Sequence, residues 1–140
     1  MGVIRNLSPD ECAQAIRELG YGRLAVTTGE GPYAVPMMFA LDDTTLCFYT
    51  LPGRKLAALR AHPAGVAVEF DDIDSARSWH SVLVTGHFEE GPDETLQELI
   101  SAFRCRAGAY VATALAELRS PSAVFGRIVI DEMSGRAYRP

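Results

Sequence analysis

Cationic residues are scarce in this chain, and it has no long apolar run. Its 140 residues carry 13 Lys and Arg against 18 Asp and Glu, a net charge of −5. An acidic chain without a basic tail suits a phosphate backbone poorly, so nucleic acid is not an expected partner. No segment reaches the ~20 apolar residues of a bilayer span. The run over 107–116 is far shorter and contains Gly108 and Thr113, so no membrane partner is expected. The opening residues include Asp10 and Glu11 and lack the charged-then-apolar order of a secretory leader. Cysteine is rare too. Cys12, Cys47 and Cys105 are widely spaced and form no C-x-x-C pair. That argues against a disulfide framework, a zinc knuckle or a redox dithiol, and fits a reducing, cytoplasmic setting. His62, His80 and His87 lack metal-ligand spacing, and no G-x-S-x-G elbow is present, so neither a metal site nor a hydrolytic triad is expected. Gly20-Tyr21-Gly22 precedes a strand pattern, whereas a dinucleotide fingerprint follows one and opens a helix.

What the chain does have is a core and a regular alternation of short strands. With 48% hydrophobic residues, residues 1–140 read as one domain able to bury its own interior. Ser8-Pro9-Asp10-Glu11 is a helix-start signal, Cys12, Ala15, Ile16 and Leu19 follow at helical spacing, and Gly20 stops the run. Strands are expected over 22–28, 33–40 and 45–50, separated by Gly29-Glu30-Gly31 and Asp42-Asp43. Pro36 inside the second strand implies an edge or a special site. A short helix over 54–61 follows Pro52-Gly53, and further strands are expected over 65–70 and 79–90, with Gly86 as a bulge or bend. Helical sequence then runs from 92 to 118, and a last strand covers 124–132, ending at Ser134-Gly135. Three strands joined by tight turns exclude a parallel sheet. The expected fold is mainly β: a six-stranded antiparallel β-barrel with peripheral helices, closed so that no edge remains.

One segment points to chemistry. In Tyr49–Arg60 a strand ends on a hydroxyl residue, turns at Pro52-Gly53, and enters a helix whose first residues are Arg54 and Lys55. The first N–H groups of a helix are unsatisfied and partly positive, so acids rather than cations belong there. Two cations make sense if an external dianion such as a phosphate sits at the helix mouth, Arg54 gripping it in bidentate fashion and Lys55 as a point charge. A solvated basic turn paired with Asp42, Asp43 or Asp71 accounts for the same residues equally well. Met37 and Met38 must face opposite sides of their strand, so one belongs to the core. Trp79 suits either a ring stack or a barrel cap. Tyr33, Phe39, Phe48, Phe70 and Phe88 read as core or interface residues.

The ordered set GRLAV (22–26), PYAVPMMF (32–39), FYTLPGRKLAALRAHP (48–63), VAVEFD (66–71), WHSVLVTGHFE (79–89) and IVIDEMSGR (128–136) resembles the flavin-binding split-barrel superfamily of pyridoxamine 5′-phosphate oxidase. It is most similar to the small bacterial branch related to nitroimidazole-resistance proteins. The resemblance implies a split barrel and an FMN-dependent oxidoreductase acting on a small molecule. It implies a homodimer with a flavin at each of two interface clefts, approached by the partner's strand around Met133–Arg136. By position it implies that Val35, Pro36, Met37 and Met38 lie along the isoalloxazine, that Tyr49 and Thr50 contact the ribityl-phosphate, and that Arg54 and Lys55 bind the phosphate. Ser81 falls where a polar side chain approaches the ring. No catalytic side chain is assigned. Val35 stands where the oxidase has Arg, and the Arg-x-His substrate motif has no counterpart, so oxidation of pyridoxamine phosphate itself is not implied. A deazaflavin on the same fold, or non-enzymatic flavin or haem binding with one of the three histidines as axial ligand, are the alternatives.

Overall fold

A computed structural model describes residues 2–91, 99–101, 113, 116–117 and 119–139. Its elements are β1 (Val3–Asn6), α1 (Pro9–Leu19), β2 (Tyr21–Thr28), β3 (Gly31–Met38), β4 (Ala40–Asp42), β5 (Thr45–Thr50), α2 (Arg54–Ala61), β6 (Val66–Ser75), β7 (Ser78–Glu90) and β8 (Val124–Arg139). Most of the helix expected over 92–118 lies outside the described residues; 99–101, 113 and 116–117 are helical.

α1 begins and ends as its sequence dictates. The Ser8 hydroxyl accepts the Glu11 N–H at 3.2 Å, and the Glu11 carboxylate accepts the Ser8 N–H at 2.7 Å. This reciprocal box satisfies two helix-start donors. At the other end Gly20 takes φ +71°, a conformation that favours glycine, and donates its N–H to the Ile16 carbonyl at 2.8 Å. Cys12, Ala15 and Ile16 form the buried face.

The strands form one antiparallel sheet in the order β3-β2-β6-β7-β8-β5-β4, with β1 added on β8. β3 is an edge strand, which lets it carry both Pro32 and Pro36. At the other edge lies β4, and only Phe39 separates it in sequence from β3. Consecutive Cα atoms are ~3.8 Å apart, so the sheet must curl until its two edges nearly meet. Closure is made by the chain, with no β3–β4 ladder among the described residues, so the barrel is split, as the resemblance implies. Phe39 donates its N–H to the Gly20 carbonyl at 2.9 Å and buries its ring edge-on against Phe48 and Phe70, each at 5.8 Å between centroids. Phe88 completes this aromatic centre, 6.0 Å from Phe48. Leu24, Leu46, Val68, Val84, Ile128 and the inner face of α1 surround it.

The strand count is eight, where six were expected. The run expected over 33–40 is divided at Phe39 into β3 and β4. β1 adds a strand whose four residues are all exposed, so it carries no alternation to read. β8 runs on through Ser134-Gly135, which was expected to end it, and pairs with β1 out to Arg139. Gly135 is not a turn. A Cβ there would lie 2.8 Å from the Cys12 sulfur and 2.9 Å from Leu7, so the glycine admits α1 against the sheet. The irregularity expected at Gly86 is present: Thr85 pairs with Glu132 and Gly86 with Ile130, leaving Asp131 as the extra residue. A Cβ on Gly86 would meet the Val129 carbonyl oxygen at 2.1 Å.

The Arg5 guanidinium and the Ser8 N–H hold the Glu11 carboxyl down at about 2, against an ordinary 4.5. The lowered value belongs to the folded state, so Glu11 stabilises in full above its ordinary range, and this contribution is lost as pH falls toward 2. Urea midpoints of wild type and Glu11→Gln should therefore differ at pH 7 and converge as pH is lowered from 5 to 2. Ser8→Ala should cost about 1 kcal/mol at neutral pH, read from the same midpoint.

Candidate functional site

The end of β3, the end of β5 and the start of α2 converge outside the barrel wall. Along β5, Leu46 and Phe48 point into the aromatic core, while Cys47 and Tyr49 point outward. β3 alternates likewise: Met37 belongs to the main core, and Met38 joins a second buried cluster with Ala40, Cys47 and Leu99. One methionine is thus in the core, as its alternation requires, and the other lies beneath the helical residues outside. Between these elements opens a cavity of about 290 Å³, lined by Pro36, Met37, Met38, Tyr49, Thr50, Leu51, Lys55 and Glu117.

Half of its lining side chains are polar: Tyr49, Thr50, Lys55 and Glu117. Thr50 is 3% exposed, and its hydroxyl donates to the Leu51 carbonyl at 3.1 Å, which leaves the oxygen's lone pairs available. α2 starts at Gly53 with no side-chain cap and no acid in its first turn, the opposite of α1 with its capping box, Asp10 and Glu11. Its first N–H groups therefore keep their partial positive charge for an outside acceptor. Lys55 is half-buried and, among the described residues, is in no ion pair. On the facing helical residues Glu117 accepts a hydrogen bond from the Tyr49 hydroxyl at 2.7 Å. Glu117 was not among the residues expected here. A contact spanning 68 positions leaves no local signal.

Six of the nine expected cofactor residues, Pro36, Met37, Met38, Tyr49, Thr50 and Lys55, line this one cavity. The other three do not. Val35 faces the main core by the alternation of β3. Arg54 turns the other way round the helix, its guanidinium 4.6 Å above the Tyr33 ring and 3.4 Å from a Glu30 carboxylate oxygen. There it lines a neighbouring cavity of about 440 Å³ with Ala57, Ala58, Ala61 and His62. The suggested partner Asp71 is instead 2.6 Å from Arg23. Ser81 lies in mid-sheet on β7, opposite Asp71 on one side and Arg136 on the other. In that region burial and the adjacent Asp71 push the Glu69 carboxyl up, against the pull of Arg23. Among the described residues no group of three or more His, Cys, Asp or Glu is placed to hold a metal ion, and no helix is long and apolar enough to cross a membrane.

Comparison with known proteins agrees with this architecture. The family model described as pyridoxamine 5′-phosphate oxidase matches residues 8–137, and the chain belongs to that family. An FAD-binding protein of Mesorhizobium loti, solved by crystallography, is 34% identical over the whole of both chains, with a TM-score of 0.77. A candidate 5-nitroimidazole antibiotic resistance protein from Bacteroides thetaiotaomicron shares the fold: 19% identity over 99% of this chain and 89% of that one, with a TM-score of 0.74. An uncharacterized Rhizobium meliloti protein is 33% identical over 89 residues, which is 64% of this chain and 58% of its own length.

Arg54 makes contacts of its own with Tyr33 and Glu30. Its ion pair is exposed and its ring contact lies at the surface, so Arg54→Ala should change stability by less than about 1 kcal/mol, measured by denaturant unfolding.

Proposed function

We propose that the protein is an FMN-dependent oxidoreductase acting on a small molecule, with the cofactor's phosphate end in the cavity between β3, β5 and α2. The observation that carries this reading is Lys55, in no ion pair among the described residues, beside the uncapped start of α2, where a phosphate supplies the missing anion. Thr50 and the first N–H groups of α2 complete the phosphate grip, and the backbone of β3 around Pro36–Met38 supports the ring. Val35 and Ser81 are assigned to the ring region by resemblance alone. The flavin supplies the redox chemistry, and the chain supplies position and electrostatics. No side chain is assigned as acid or base.

FAD is the second reading, favoured by the solved Mesorhizobium loti relative described as FAD-binding. A deazaflavin would use the same phosphate grip. Haem is less favoured, because none of His62, His80 and His87 lines the cavity. The absorption spectrum of the purified protein, followed by titration with each cofactor, separates the four.

A homodimer, working in the cytoplasm, is part of the same proposal. Its support is the outer face of the sheet, where Ile73, Trp79, Tyr138 and Ile4 stand side by side across β6, β7, β8 and β1. Tyr21, Leu83 and Ile73 on that face are 49%, 47% and 67% exposed. Leu83→Glu should shift the sedimentation of the cofactor-loaded protein from dimer to monomer; a wild type that is monomeric at micromolar concentration with flavin bound overturns the dimer.

Charged hydrogen bonds contribute about 1.5–3 kcal/mol, so Lys55→Ala should weaken FMN by roughly ten- to a hundredfold. Riboflavin, which has the same ring and no phosphate, should lose far less. Equal losses for the two ligands would make Lys55 a structural residue, and no loss for either would remove the phosphate site. Arg54→Ala, titrated in parallel, shows whether the second cation of the turn takes part.

A further inference from the structure

The cavity holds a negative group as well as a positive one. Glu117 is exposed, its carboxylate fixed to the cavity wall by the Tyr49 hydroxyl at 2.7 Å, yet it forms no ion pair with Lys55 among the described residues. A carboxylate there only to neutralise Lys55 would sit within ion-pair distance of it. Tied to β5 instead, it gives one cavity two unlike groups. Lys55 offers a cation, beside the Thr50 hydroxyl and the uncapped start of α2. Glu117 offers an acceptor that cannot donate.

We propose that Glu117 is a specificity-determining residue. It accepts hydrogen bonds from uncharged donor groups of the ligand, such as hydroxyls, and opposes a second negative charge in the cavity. The proposal rests on the flavin reading above and refines it. The ligand class that the two groups define carries one anionic group with hydroxyl or amide donors next to it, as a sugar-alcohol phosphate does. Tyr49 positions the carboxylate and need not touch the anion itself.

The test compares FMN and riboflavin titrations on the full-length wild type, Glu117→Gln and Tyr49→Phe, each at low salt and in 1 M salt. Glutamine keeps the shape and an acceptor for Tyr49 while removing the charge. An exposed charge interaction is modest, so Glu117→Gln should raise the preference for FMN over riboflavin by about two- to fivefold at low salt. The gain should disappear in 1 M salt, where the screening length falls to about 3 Å. Tyr49→Phe frees the carboxylate to swing into solvent and should move the preference the same way by a smaller factor. An unchanged preference in Glu117→Gln at low salt overturns the proposal. So does a change that persists in 1 M salt, because it would be steric. A wild type with no preference for FMN over riboflavin removes the phosphate reading first, and this inference with it. A clear wild-type preference that Glu117→Gln leaves untouched removes the inference alone.

Discussion

One short connection governs this molecule. The two edges of an eight-stranded sheet are successive pieces of chain with Phe39 between them. A flat sheet would hold β3 and β4 far apart, at about 4.8 Å for each intervening strand. A single residue cannot span that, so the sheet has to curl. The ring of Phe39 then falls at the centre of the curl, against Phe48 of β5 and Phe70 of β6. Truncating such a ring opens a cavity where the two edges depend on each other. The same residue explains why closure stays incomplete. Its N–H goes to Gly20 and not to a strand neighbour, so the seam between β3 and β4 carries no ladder.

The seam is also what makes room for a site. In a fully paired barrel every wall position alternates between core and solvent. Here the wall is interrupted, and Met38 and Tyr49 face an outer layer of helical residues instead of water. The cavity lies where that layer, the seam and the start of α2 meet. The two helices then divide the electrostatic work. α1 satisfies its own start with Ser8 and Glu11, which suits an element whose task is to cover the core. α2 leaves its start open and adds a cation. The difference lies in a few residues at each helix start, yet it separates a structural helix from one able to hold an anion.

How much of this could be read from the chain depended on how local the cause was. β5 and α2 match their expected limits of 45–50 and 54–61, because hydroxyl, Pro-Gly and apolar spacing act within a few residues. Gly135 misled, because a glycine that makes a turn and a glycine that admits a helix look the same in sequence; only the Cys12 sulfur 2.8 Å from its missing Cβ distinguishes them. β1 has no apolar alternation and exists because β8 offers it an edge. In the site, the strand-end residues were legible for the same local reason. Arg54 and Lys55 were read as one pair, but neighbours on a helix point about 100° apart, and the two side chains line different cavities. Glu117 reaches Tyr49 only through the completed fold.

The remaining distance within the site is set by strand order. Ser81 on β7 is separated from β3 by β2 and β6, and from β5 by β8. Its side chain stands on the outer face with Trp79 and Leu83, beyond the reach of Lys55's cavity. Arg136 lies opposite it on β8, so this region has its own mixture of polar groups and exposed apolar rows. One chain therefore presents two half-surfaces on the outside of a single curled sheet: a partial cavity with a cation at the seam, and an open face farther round. An extended ligand whose anion is held at the seam leaves its other end uncovered by this chain alone. Under the dimer proposed above, the face carrying Ser81 and Arg136 on one copy would be the one to cover that exposed end on the other. The apolar row across β6, β7, β8 and β1 and the partial cavity at the seam would then answer the same requirement, a ligand that one barrel can grip but cannot enclose.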